Sequence, residues 1–181
     1  MRWRSTKPPG ERPAAARSPP FLLPDSLNST VTATVTATST ARPTRADFGF
    51  FRPVSTRWTD NDIYGHVNNA IYYQYFDSVI NTYLIEEGDL DIQRGDVVGF
   101  IVRSECDYYA PVTYPGDVDI GVAVSRLGSS SVTYSVGLFK PGEAGPCAVA
   151  SMVHVFVDTA TNRPVPIPAS LRAALSRLLR A

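Results

Sequence analysis

The feature that most constrains this chain is the run from Val67 to Glu87, which contains neither glycine nor proline. Its apolar residues Ala70, Ile71, Tyr75, Val79 and Tyr83, together with Tyr72, Phe76, Ile80 and Leu84, recur at helical spacing and cover most of the circumference. A helix that is apolar on most sides cannot rest on a surface and has to be enclosed. The flanking segments suit that task. Phe50–Trp58 alternates as a strand, with Val54, Thr56 and Trp58 on one face and Ser55 and Arg57 on the other. Four further strand-like runs follow, Val97–Tyr109, Asp117–Leu127, Ser131–Lys140 and Cys147–Asp158. The short separators Pro115-Gly116, Gly128-Ser129 and Pro141-Gly142 predict antiparallel neighbours at each turn. A closing helix over Ala169–Leu179 carries the stripe Leu171, Leu175, Leu178. The expected fold is therefore α+β, an antiparallel five-stranded sheet wrapped around one long central helix. Five strands of one copy are too few to enclose such a helix completely, so a homodimer or a dimer of dimers is expected.

Charge divides the chain into two unlike pieces. Lys plus Arg equals Asp plus Glu at 17 each, which gives no reason to expect nucleic acid as a partner. Residues 1–46, however, hold Arg2, Arg4, Lys7, Arg12, Arg17, Arg42 and Arg45 against Glu11 and Asp25, a net of +5 that leaves −5 from Asp47 onward. With Pro8, Pro9, Pro13, Pro19, Pro20, Pro24 and Pro43 and the run VTATVTATSTA, this leader has too few large apolar residues to offset its ordering entropy. It reads as disordered, either a transit segment or a misassigned start, with the folded domain over 47–181. The patch Phe21–Leu23 is too short for a signal-peptide core. No apolar run approaches the ~18 to 20 residues of a membrane span, and two cysteines, Cys106 and Cys147, suit a reduced, cytoplasmic chain.

Chemistry concentrates where the long helix begins. Arg57-Trp58-Thr59-Asp60-Asn61-Asp62-Ile63-Tyr64-Gly65-His66-Val67-Asn68-Asn69 packs two carboxylates, a histidine and a glycine into one entry segment. Three readings are open. Asp62 and Asn68 are cap-type residues that suit a helix N-terminus. One histidine with two aspartates falls below a metal site's ligand count, so no metal is expected. The third reading is catalysis, with free N–H groups of the first turn holding an oxyanion beside a carboxylate base or nucleophile. A Ser-His-Asp hydrolase is disfavoured because no G-x-S-x-G occurs. His154, spaced with Met152 and Phe156, reads as sheet packing.

The run W-x-D-x-D-x-x-G-H-V-N-N-x-x-Y-x-x-x-F-D, from Trp58 to Asp77, resembles the hotdog-fold acyl-CoA thioesterases of the 4-hydroxybenzoyl-CoA thioesterase-like family. The similarity continues to Arg163–Pro168 and covers about Phe48 to Leu179. It implies a sheet wrapped around a long helix, dimers with active sites at the subunit interface, and hydrolysis of an acyl-CoA to a carboxylic acid and free coenzyme A without a cofactor, in lipid metabolism. By position it implies Asp62 as the catalytic base or nucleophile, Asn69 as the residue whose backbone N–H polarises the carbonyl, and Gly65 as the turn where backbone approaches substrate. Asp60 is the structural carboxylate. His66 and Tyr72 match family positions that line the substrate, each explicable by packing alone. The turn Arg126-Leu127-Gly128-Ser129-Ser130 resembles the family's nucleotide-contacting turn, with Arg126 and Ser129 as candidates, although Leu127 and Gly128 are not basic as in some members. The rivals are a hotdog enoyl-CoA hydratase, whose D-x-N-P-x-H is not matched here, and a noncatalytic acyl-CoA or acyl-carrier binding module.

Overall fold

The computed structural model describes residues 42–180, so the leader expected to be disordered lies outside the described residues up to position 41. Five strands and two helices follow in the order β1 (Phe50–Ser55), α1 (Asn69–Gly88), β2 (Val97–Tyr108), β3 (Asp117–Leu127), β4 (Ser131–Phe139), β5 (Ala148–Asp158) and α2 (Ala169–Arg177). The strands form one antiparallel sheet in the order β1-β3-β4-β5-β2. The α+β architecture expected from the central helix is what the chain adopts.

Helix α1 starts at Asn68, whose extended backbone and side-chain oxygen cap the first turn by accepting from Ala70 N–H at 3.0 Å. It stops at Asp89, which takes a left-handed conformation at φ 57° and returns its N–H to the Leu84 carbonyl. Between the two caps Tyr72, Tyr75, Phe76, Val79, Ile80, Tyr83 and Leu84 are all buried. They share one core with every second residue of the sheet, Val118, Ile120 and Val122 on β3, Val132, Val136 and Leu138 on β4, and Ala150, Met152 and Phe156 on β5. The period of two puts the intervening residues on the far face of the sheet. Gly88 ends the helix against α2, where a Cβ would come within 2.5 Å of a Leu171 methyl carbon.

Two expectations about the strands are corrected. β1 ends at Ser55, and Trp58 opens a 3-10 turn, Trp58–Asp60, instead of facing the core; its side chain is 81% exposed. The carboxylate of Asp60 causes this, accepting Arg57 N–H at 2.6 Å and the Tyr75 hydroxyl and so pulling the chain inward at the last residue of the turn. The second correction concerns order. β2 pairs with β5 at the opposite edge, not with β3 across Pro115-Gly116. Crossing from β2 to β3 spans three strand spacings, roughly 14 Å, which the extended segment from Tyr109 to Gly116 can cover at ~3.3 Å per residue.

The outer face of the sheet carries a smaller cluster of Phe48, Ala123 and Phe139 with Phe51 packed on it. Gly121 and Gly137 make room, since a Cβ on either would lie within 3 Å of Phe48 or Phe51 ring atoms. Arg45 ties this cluster down, bonding Asp119 at 2.9 Å and the carbonyls of Lys140 and Glu143 at 3.1 Å each, with its guanidinium over Phe51 and Phe139. Contacts with the domain thus begin before Asp47, since Arg42 also stacks on Tyr109 at 4.4 Å. A chain starting at Asp47 is expected to melt several degrees below one starting at Arg42. It forfeits about 1–2 kcal/mol of charge-assisted hydrogen bonds, and calorimetry of the two chains checks this; equal melting temperatures would make Arg45 a bystander.

One polar pair lies inside the core. His154, 1% exposed, packs edge-on against Tyr134 with ring centroids 5.1 Å apart, as expected of a residue in register with Met152 and Phe156. Neither its ring nitrogens nor the Tyr134 hydroxyl has a hydrogen-bond partner among the described residues. Burial pushes the imidazole below its ordinary value, and the Asp77 carboxylate offsets this in part. The unfolded chain therefore takes up a proton near pH ~6.5 that the folded chain refuses. Stability is expected to hold above that pH and to fall by up to about 1.4 kcal/mol per unit below it, until the folded-state value is reached. Denaturant titrations between pH 7.5 and 5 on the parent and on His154→Leu measure it; an equal slope in both would clear His154 of any part.

Candidate active site

The entry segment closes into a tight loop in front of α1. Asp62 N–H donates to the His66 carbonyl at 2.9 Å, and Gly65 N–H returns to the Asp62 carbonyl at 3.1 Å. Gly65 makes the reversal with φ 81°, a left-handed conformation that glycine adopts without strain, and a Cβ there would meet nothing within 4 Å. Backbone conformation, not crowding, requires this glycine. The loop is pinned at both ends, by Asn68 N–H on the Asp60 carbonyl and Val67 N–H on the Val112 carbonyl, each at 2.8 Å. Asp60 itself is 3% exposed, and its bonds to Arg57 N–H and the Tyr75 hydroxyl make it the structural carboxylate. Burial first, and then this carboxylate, push the Tyr75 phenol up.

Asp62 stands apart from those bonds. Its side chain is half-buried, with Oδ1 accepting Tyr64 N–H at 2.8 Å, and it lines a recess of about 270 Å³ with Trp58, Asn61 and Gly65. A second recess, of about 340 Å³, opens between the start of α1 and the end of β2, among His66, Val67, Asn69, Tyr72, Tyr108 and Pro111. At its rim the Asn68 side chain and carbonyl take up the N–H groups of Ala70 and Ile71. Asn69 N–H has no partner among the described residues, and it carries the positive end of the helix dipole. Gly65 lines the first recess and the next residue, His66, lines the second, so one chain holds Asp62 and Asn69 in two recesses that adjoin along the loop.

The remaining candidates fall into two groups. Tyr72 sits one turn below Asn69, 3% exposed, edge-on to Tyr108 at 5.2 Å, and burial pushes its phenol up. His66 is exposed and lines the same recess as Asn69 while its carbonyl is held by the loop, so packing does not account for it. Arg126 and Ser129 lie at and just beyond the far end of β3, whose first residue, Asp117, pairs with Ser55 ahead of the entry loop, and neither lines the recess at Asp62 or the one at Asn69. Both are exposed. The structure does not gather them with Asp62 in one chain, and a shared ligand would require a second copy. Tyr108 and Pro111 escaped the sequence reading; Tyr108 donates its hydroxyl to the Asn69 carbonyl at 3.3 Å, a contact that depends on β2 ending beside α1. Among the described residues no cluster of three or more metal-ligating side chains occurs.

A family model described as the thioesterase-like superfamily matches residues 56–175. The chain belongs to the thioesterase-like superfamily. Its match spans the entry loop, α1 and all of β2 to β5, the elements that build the two recesses. A 1,4-dihydroxy-2-naphthoyl-CoA hydrolase of Synechococcus elongatus is 30% identical, the alignment covering 70% of this chain and 93% of the relative. The crystal structure of the PA5185 protein from Pseudomonas aeruginosa is similar at 53% identity and a TM-score of 0.76, over 78% of this chain and 99% of that one. A thioesterase from Thermus thermophilus, crystallised with coenzyme A and zinc, is 29% identical over 71% of this chain and 98% of that one, with a TM-score of 0.60. As a member of the thioesterase-like superfamily the chain is a thioester hydrolase with the hotdog fold.

Proposed function

We propose that the chain is an acyl-CoA thioesterase, releasing a carboxylic acid and free coenzyme A, with Asp62 as base or nucleophile and the first-turn amide of α1 at Asn69 polarising the thioester carbonyl. The observation that carries this reading is the unpartnered Asn69 N–H at the rim of a recess whose neighbour holds Asp62. A thioester asks little more of an enzyme, because thiolate leaves readily once the carbonyl is polarised and a nucleophile supplied. No helix among the described residues is long and apolar enough to cross a membrane. The free cysteines Cys106 and Cys147 fit work in a reducing cytoplasm.

The working unit is a homodimer or a dimer of dimers. β2 is an edge strand paired only with β5, and it exposes Phe100, Ile101 and Val102 in succession, an apolar row of the kind natural edges avoid unless a partner covers it. Arg126 and Ser129 line neither recess of this chain, so any part they take at Asn69 falls to a second copy. The test is release of free thiol from a panel of acyl-CoAs, followed with a thiol-reactive dye, alongside sedimentation at low micromolar concentration. Hydrolysis by a dimer or larger assembly is expected; binding without hydrolysis would favour the noncatalytic module, and an active monomer would remove the second copy from the site.

A further inference from the structure

Asp62 and the Asn69 amide have to be held at a fixed spacing, and both flanks of that spacing are tied to Asp60. Asp62 lies two residues after it in the chain, while the Asp60 carbonyl accepts Asn68 N–H at 2.8 Å, one residue before Asn69. The Asp60 carboxylate is 3% exposed, and a charge so far from water needs donors. One is the N–H of Arg57 at 2.6 Å, local to the turn, with the Arg57 guanidinium further off at 3.9 Å. The other is the hydroxyl of Tyr75, which reaches Asp60 from the second turn of α1, across 15 residues of chain. Tyr75 is 1% exposed and belongs to the core that α1 shares with the sheet, so its hydroxyl ties the turn to the packed interior. Neither Asp60 nor Tyr75 lines either recess.

We propose that Tyr75 is a positioning residue of this enzyme: acting through Asp60, and without touching substrate, it fixes where the Asp62 carboxylate stands relative to the Asn69 amide. The inference rests on the thioesterase reading with those two groups as its chemistry. Small displacements matter at such a pair, since a shift of about 1 Å can lower a rate roughly a hundredfold. Tyr75→Phe deletes one oxygen from a side chain whose ring fills the core, so the packing stays and the tether goes. Tyr83 supplies the control. It lies about two turns further along α1, 4% exposed, and its hydroxyl donates to the Ala174 carbonyl at 2.7 Å. That bond joins α1 to α2 and reaches no part of the entry loop.

The experiment measures kcat and KM of the full chain on the acyl-CoA that the parent hydrolyses fastest, with melting temperature and amide hydrogen exchange, in Tyr75→Phe, Tyr83→Phe, Asp60→Asn and the double variant Asp60→Asn with Tyr75→Phe. Tyr75→Phe is expected to lose about tenfold or more in kcat with KM changed by about twofold or less. Exchange over residues 61–68 should quicken relative to β4. Tyr83→Phe, which also forfeits a buried hydroxyl bond, should melt lower and keep the parental kcat. Because Tyr75 acts through Asp60, the double variant should be no slower than Asp60→Asn alone. Parental kcat in Tyr75→Phe, an equal loss in Tyr83→Phe, or single losses that multiply in the double variant would overturn the positioning role. If Asp60→Asn fails to fold, the contrast between the two phenylalanine variants decides the matter. A parent that releases no thiol from any acyl-CoA would instead overturn the acyl-CoA thioesterase reading on which that role depends.

Discussion

Asp62→Asn is expected to lower thioester hydrolysis by about a hundredfold or more, because the charge that attacks the carbonyl or deprotonates water is lost. The fold should scarcely notice. The asparagine amide oxygen can still accept Tyr64 N–H, as Oδ1 of Asp62 does at 2.8 Å, and the loop's backbone bonds to His66 and Gly65 do not involve the side chain. Unfolding free energy should therefore change by about 1 kcal/mol or less. The separation of the two effects is what identifies catalysis, since a residue serving only as a turn cap would leave the rate intact. Thiol release at saturating acyl-CoA and a denaturant titration on the same preparation measure both. A variant with parental turnover would reduce Asp62 to a turn residue and leave the noncatalytic binding module as the better reading.

Asn69→Pro should cost about a hundredfold or more in rate while α1 still forms. Proline is tolerated at the first helical position, where its missing N–H has no intrahelical acceptor in any case. It also demands an extended residue before it, and Asn68 already has φ −60° and ψ 139°. The substitution thus deletes a single donor from a backbone that is already shaped to accept proline. Asn69→Ala keeps the amide and should retain much of the activity. If Asn69→Pro is folded by circular dichroism and fully active, the carbonyl is polarised elsewhere and the site must be moved.

The local pattern was enough to recover most elements of this protein, and its failures are instructive. The strands expected over Asp117–Leu127 and Val97–Tyr109, the long helix and the inward-facing His154 were legible because each depends on a backbone period, two or three to four residues, that the order of apolar residues records directly. Of the entry segment, the cap at Asn68 was legible because capping is a local requirement, whereas the parts given to Asp62, Gly65 and Asn69 came from the resemblance to a family. Tertiary structure decided the rest. Placing β2 beside β5, exposing Trp58 and setting Tyr108 against the first turn of α1 all follow from how distant segments share one core, and no short window of residues contains that information. The separation of Arg126 and Ser129 from Asp62 has the same origin: strand direction puts the two ends of β3 far apart in space, although the residues are chemically suited to one ligand. Hydrophobic burial is non-directional, so the sequence dictates which residues go inside. Which of them meet is settled by the one sheet order that closes around α1.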